Sequence, residues 1–488
     1  MIQETKIALL PLDNRPVSYL LPKQIADFSN IELILPERKC LGDLNCGSDL
    51  AYLEKWLTDV AVLHATPLVI SLDNWVYGGL VQSRKHDFTL DELKTRVDTF
   101  TGAFCKTSLH HDIYGFSSIM RIPNYNDSSE EKDYWKEYGK KIFNWSELMH
   151  KVGRGIVEDI SHEELLENWY QSSKLIPPHI LADYKGHRDK NLTVNLLWLE
   201  ALHENCFEYL VFSCDDSGKY GMNVVEAEYI SKQIKNHNFS NLTRIISGTD
   251  EVPLVLFTKA VLKKANIQPS VSVYFNSVSG KNQYARYESS TIYSSVINQI
   301  DLLGIEKKDF NESDLVLYIH TADSVQGDHV FNIEPENTKK NTRELIKQIE
   351  KNDKLFILID LAYANGADPL LVESLIKSKI NWNKCYGYAA WNTCSNSIGS
   401  ALAIGVNRWV SEKKNEFTEK EFKKCMLVRF LDDYAYQAKI RHSDINEKEV
   451  NDSIQPYVKT FSKLLGLNDI NVKCKLPWNR SFEIEVEI

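Results

Sequence analysis

Short, nearly continuous apolar runs recur along the 488-residue chain, and they limit its fold more than any other feature. Ten stand out: Ile7–Leu12, Ile31–Leu35, Pro67–Leu72, Asp112–Met120, Tyr209–Phe212, Arg244–Ser247, Ser270–Phe275, Leu315–Ile319, Leu355–Ile359 and Cys385–Ala390. A strand with one face in water alternates apolar and polar residues. A strand apolar throughout is covered on both faces, as in parallel sheets. Stretches of helical character separate the runs, among them Val224–Lys235, Val252–Lys264 and Lys339–Lys351. Parallel neighbours need crossovers of that kind. The pattern predicts an α/β protein. A (β/α)8-like parallel barrel uses eight of the ten runs and leaves Ile31–Leu35 and Ser270–Phe275 outside. The alternative is two doubly wound α/β domains joined near residues 276–290.

A polar and aromatic stretch at about 124–191 carries helical spacing and reads as a helical insertion. The catalytic α/β domain then spans 1–412. Residues 413–488 form a mainly helical extension, and a terminal strand pair fits near Ile470–Lys475 and Ser481–Ile488. A net charge of −10 argues against a nucleic-acid surface. Met1–Asp13 lacks the pattern of a signal peptide, and no run is apolar for the length of a membrane span. Nine scattered cysteines without a CxxC fit thiols in a reducing cytoplasm.

In either fold the polar site lies at the carboxyl ends of the strands. Nearly every run exits into Asp, Asn, Arg or Trp. The exits supply Asp13 and Arg15; Asp73, Asn74 and Trp75; Arg121 and Asn124; Asp215, Asp216 and Tyr220; Asp250 and Glu251; Asp360, Asn365 and Asp368; and Trp391 and Asn392. Asp and Asn after a strand are also ordinary helix caps, a reading that applies to Asp13 and to one of Asp250 and Glu251. Taken together with two tryptophans, the exits predict a polar pocket with an aromatic wall. Asp215 and Asp216 are its centre. Adjacent carboxylates in a dry site repel, so one is pushed towards its neutral form and becomes a proton donor. Glu251 is a candidate second carboxylate.

There is no GxGxxG after the first run, no P-loop and no GxSxG, so no cofactor is called for. His320, Asp323 and Asp360 keep open a metal-dependent amide or ester hydrolase, although HExxH is absent and the ligand spacing is irregular. A third possibility is a carbohydrate-binding protein without catalysis.

Six spaced motifs, LPLDNRP (Leu10–Pro16), MRIPNYN (Met120–Asn126), CDDSGKYG (Cys214–Gly221), GTDE (Gly248–Glu251), NGAD (Asn365–Asp368) and AAWNT (Ala389–Thr393), resemble the bacterial domain-of-unknown-function 4127 family from about Ile7 to Trp409. That resemblance implies no activity. The acid pair is also similar to that of substrate-assisted hexosaminidases. By that analogy Asp215 orients the acetamido nitrogen, Asp216 is the general acid/base and Asn392 binds sugar. The reading is a glycoside hydrolase acting on a small sugar, without nucleic-acid or membrane partners and with self-association left open.

Overall fold

The computed structural model describes residues 5–64, 66–105 and 112–488. Met1–Glu4 of the N-terminal segment considered above lie outside the described residues. The strands form two open parallel sheets. The first contains β1 (Lys6–Leu10), β2 (Glu32–Ile34), β3 (Leu68–Ser71), β4 (Ile113–Ile119), β5 (Tyr209–Cys214) and β6 (Thr243–Ser247), in the order β2-β1-β3-β4-β5-β6. The second is built from β7 (Ser270–Phe275), β8 (Glu306–Lys307) and β9 (Leu315–His320), then, after β10 (Gly327–Asp328), from β11 (Leu355–Asp360) and, after β12 (Tyr363–Ala364), from β13 (Cys385–Ala389). Its order is β8-β7-β9-β11-β13, which repeats the order of the first five strands of the first sheet. β10 and β12 pair with each other, and β14 (Lys473–Lys475) pairs antiparallel with β15 (Glu485–Glu487).

Apolar runs became two-faced strands because successive side chains point to opposite sides. In β1, Ile7 and Leu9 enter one core while Ala8 and Leu10 enter another. In β5, Val211 faces the first core and Leu210 and Phe212 the second. Each of these isoleucine, leucine, valine and phenylalanine side chains, fully buried, stabilises the fold by roughly 1.5–3 kcal/mol.

Among the described residues the strands do not close into a barrel. After β6 the helix Val252–Ala265 packs back on the first sheet, and the next strand, β7, pairs only with β8 and β9. Ile31–Leu35 and Ser270–Phe275, expected outside a barrel, supply an edge strand of the first sheet and an interior strand of the second. The two-sheet alternative describes the strands better, but its seam was misplaced. The chain changes sheet through the helix Val252–Ala265, and residues 276–290 belong wholly to the second half.

One core nevertheless spans both sheets. The helix Cys394–Lys414 is wedged between them, touching β11 and β13 on one side and the helices Val252–Ala265 and Pro16–Ser29 on the other. The close approach requires glycine. A Cβ on Gly387 of β13 would lie 2.6 Å from the Ala401 carbonyl oxygen of that helix.

The insertion is helical, with Trp135–Arg154, His162–Lys174 and Pro178–Glu200 around a small core of Trp135, Ile142, Trp145 and Tyr184. The C-terminal region is helical through Leu465, then returns through β14 and β15 to pack in the shared core. Among the described residues no helix is long and apolar enough to cross a membrane. The cysteines are not all free thiols: Cys105 and Cys206 form a disulfide, with Cα atoms 4.5 Å apart, while the other seven are unpaired.

Candidate active site

The carboxyl ends of both sheets open on one cleft with an inner chamber of about 50 Å³ and an outer one of about 490 Å³. The outer volume lies in the range of small-molecule sites, roughly 300–1,000 Å³. Arg121, Glu130, Asp216, Tyr287, Asn392, Thr393 and Phe482 border both chambers.

The wall of the first sheet is a chain of buried ion pairs. After β1, Arg15 Nε binds Asp13 Oδ2 at 2.8 Å, and its two terminal nitrogens reach Asp250 after β6 at 2.5 and 3.2 Å. Asp13 therefore stands behind Arg15, and Asp250 is a clamp for it rather than a helix cap. After β5, Asp215 Oδ2 accepts two bonds from Arg84, at 2.5 and 3.1 Å, which leaves Oδ1 as the oxygen not engaged by that guanidinium. Arg84 also holds Glu130 at 2.7 Å. Arg121, after β4, binds Glu131 at 2.8 Å, Glu130 at 2.9 Å and Asp216 at 3.0 Å. Its backbone is held from behind, where the buried Arg188, paired with Glu226, donates to the Met120 and Arg121 carbonyls at 2.8 and 3.2 Å.

The two adjacent acids thus differ. The Asp215 side chain is sealed against Arg84. That of Asp216 is one-third exposed to the cleft, and burial, reinforced by the charge of Asp215, pushes it up to about 6 against the pull of Arg121.

The other wall and the roof come from the second half. Asn392 and Thr393 follow β13, and Asn365 follows β12. Tyr287 lines both chambers and donates from its hydroxyl to Asp328 at 2.5 Å. A C-terminal strap, residues 477–483, lies across the top. Trp478 Nε1 donates to Asn14 Oδ1 at 2.7 Å, Arg480 pairs with Glu130, and the Phe482 carbonyl accepts from Gln437 at 3.0 Å. Glu483 is buried beside Arg15 and Arg480. Burial outweighs both guanidiniums and raises its carboxyl to about 8.

The cleft therefore gathers Arg15, Arg121, Asp215, Asp216, Asp250, Asn365 and Asn392 from the expected set. The rest lie elsewhere. Trp75 is a core residue, its indole bonded to the Arg96 carbonyl at 3.0 Å and packed on Phe100 and Phe104. Trp391 is buried edge-on to Phe482, so it supports the strap and forms no open wall. Asn74 ties Pro11 to Ser48. Asp73 binds the Ser118 amide at 2.9 Å and Ser117, and burial lifts its carboxyl to about 6. Asn124 is exposed outside the cleft. Tyr220 faces a different surface beside Lys151 and Lys219. Glu251 is sealed in the core between Gln299 and the wedge helix, where burial and Glu288 hold it well above the carboxylate range; its side chain caps nothing.

The proposed metal ligands are engaged elsewhere. His320 Nε2 meets Asp368 at 2.8 Å and Nδ1 meets Asn276 at 3.0 Å. Asp323 accepts from Ser277 and Asn341. Asp360 accepts the amides of Ala362 and Asp368, and Asp368 caps the helix Pro369–Lys377. Among the described residues no three His, Cys, Asp or Glu side chains converge as a metal site would require.

A family model described as "protein of unknown function (DUF4127)" matches residues 7–487. The chain belongs to the DUF4127 family. The DUF4127 match extends beyond Trp409 to cover the strap. No match was found among curated proteins or solved structures. Of the cleft residues absent from the sequence reading, Arg84, Glu130, Tyr287, Trp478, Arg480 and Phe482 matter most. The only visible signal for them was local. Residues 477–483 read PWNRSFE, a dense aromatic and arginine cluster between the two expected terminal strands.

Proposed function

We propose that this DUF4127 protein is a glycoside hydrolase whose general acid is Asp216. The observation that carries the reading is the division of labour within the acid pair: Asp215 is fixed by two Arg84 bonds, while Asp216 faces the cleft with its carboxyl raised to about 6. A carboxyl in that range delivers a proton to a leaving oxygen near neutral pH. In this reading Asp250, held by both terminal nitrogens of Arg15, is the second carboxylate of the mechanism and stabilises positive charge developing on a sugar ring. Asn365, Asn392 and Tyr287 supply hydroxyl-binding groups, and Phe482 supplies an apolar face. The test is hydrolysis of a panel of chromogenic glycosides by the wild type and by Asp216→Asn. Turnover by the wild type that survives unchanged in Asp216→Asn removes the mechanism.

A second reading, sugar binding without turnover, has one observation in its favour: two sheets of the same strand order contribute to one ligand-sized cleft. Saturable binding of a sugar whose glycosides are never cleaved decides for it.

A further inference from the structure

The charges around the outer chamber are not all matched. Its three carboxylates are already engaged. Glu130 is shared by Arg84, Arg121 and Arg480, Asp216 is held by Arg121, and Asp127 accepts the Ser129 amide. Two guanidiniums keep unused donors. Arg441 lines the chamber, and the one side-chain bond described for it goes to a neutral group, Gln437 Oε1, at 2.8 Å. It forms no ion pair among the described residues, and burial disfavours its charged form more than the nearby Tyr436, Asp432 and Asp328 favour it. Arg480, on the strap, uses one terminal nitrogen for Glu130, while its buried Nε has no partner among the described residues. Both guanidiniums lie over the ring of Phe482, at 5.3 and 4.9 Å, so the two sit on one aromatic platform at the chamber wall.

Five donors on a planar guanidinium match a carboxylate edge-on, and a buried donor without an acceptor is destabilising until one arrives. The remaining groups of the chamber, Asn365, Asn392 and Tyr287, are neutral and suit hydroxyls. We infer that the outer chamber binds a sugar carrying a carboxylate, a uronic acid, with that carboxylate on Arg441 and Arg480. The inference rests on the glycoside reading for its sugar, and on the two guanidiniums alone for its charge.

Binding is measured directly, by calorimetry and by the fluorescence of Trp478 and its neighbours. The probes are D-glucuronate, D-galacturonate and D-mannuronate against the parent hexoses, with the hexose 6-phosphates as a further arm. At least one uronate is expected to bind ten-fold or more tightly than its hexose. Arg441→Ala and Arg480→Ala are expected to remove that preference, and Arg441→Lys to retain part of it. Arg441→Ala makes the cleaner test, because it breaks no ion pair and a melting curve verifies its fold. Equal affinity for uronate and hexose, or a preference that survives both alanine variants, overturns the inference. Tighter binding of the phosphates overturns the carboxylate assignment. Asp216→Asn separates the two readings. Uronate preference retained with turnover lost supports both, and preference retained with turnover unchanged leaves the uronate site standing while the catalytic role falls.

Discussion

Two sheets of the same strand order put acids and bases at their carboxyl ends to opposite use. Beyond the first sheet, Arg15 with Asp250, Arg121 with Asp216 and Arg84 with Asp215 pair along one wall of a cleft that stays open. Beyond the second, His320, Asp360 and Asp368 close on one another with at most 1% exposure. Burial opposes a charge on His320, but the Asp368 hydrogen bond and the neighbouring Asp360 outweigh it and raise its pKa. Polar residues after a parallel strand become a site only where neighbouring chain leaves a gap. Where it does not, they become an internal brace.

The contrast is broken most severely at Asp216. Asp216→Asn is expected to lower kcat/KM on any hydrolysed glycoside by about 10²–10⁴ while the melting temperature stays within a few degrees. If Asp216 is the general acid, its protonated form is the active one, so kcat/KM should fall as pH rises through about 6, a limb absent from the variant. Arg84→Met leaves the buried Asp215 charge without its partner and should destabilise by about 3–5 kcal/mol in denaturant unfolding. A smaller loss, about 1–3 kcal/mol, is expected for Gly387→Ala, which drives a methyl into the wedge helix. It tests whether that helix sets the spacing of the sheets.

The brace has a pH signature of its own. The Asp360 carboxyl is raised by burial to about 6 in the folded state, against about 3.9 in an unfolded chain, so the folded state binds the extra proton. Its contribution is full below about pH 4 and is lost as pH rises through about 6. Asp360→Asn should flatten that part of the melting-temperature profile without changing KM. The smallest effect belongs to Trp75→Phe. A sugar-stacking residue would raise KM substantially, whereas a core residue packed on Phe100 leaves KM unchanged and lowers stability slightly.

Much of the fold was legible because two-sided burial writes itself locally. All ten apolar runs overlap strands, and the polar, aromatic stretch carries helices, the last of which, Pro178–Glu200, runs past its expected end at 191. Closure was not legible, because the apolar run of β6 reads the same whether its next neighbour extends the sheet or leaves it at an edge. The chemistry divided in the same way. Repulsion between Asp215 and Asp216 is a local fact, and burial together with the charge of Asp215 raises the Asp216 carboxyl. That Asp215 is the one sealed in an ion pair depended on Arg84, 131 positions away and outside any strand exit. The tryptophans misled because an indole after a strand serves the core as readily as a ligand, and only three-dimensional packing separates Trp75 and Trp391 from Trp478.

The strap carries a kinetic consequence. It joins Asn14 to Trp478, and β15 just after it joins Arg38 to Glu485, across 464 and 447 positions of sequence, so their loop-closure entropy is met only after both sheets exist. A refolding chain should regain its far-ultraviolet circular dichroism before it regains the cleft, and ligand binding should lag behind secondary structure. Assembly of the site is then the final event of folding.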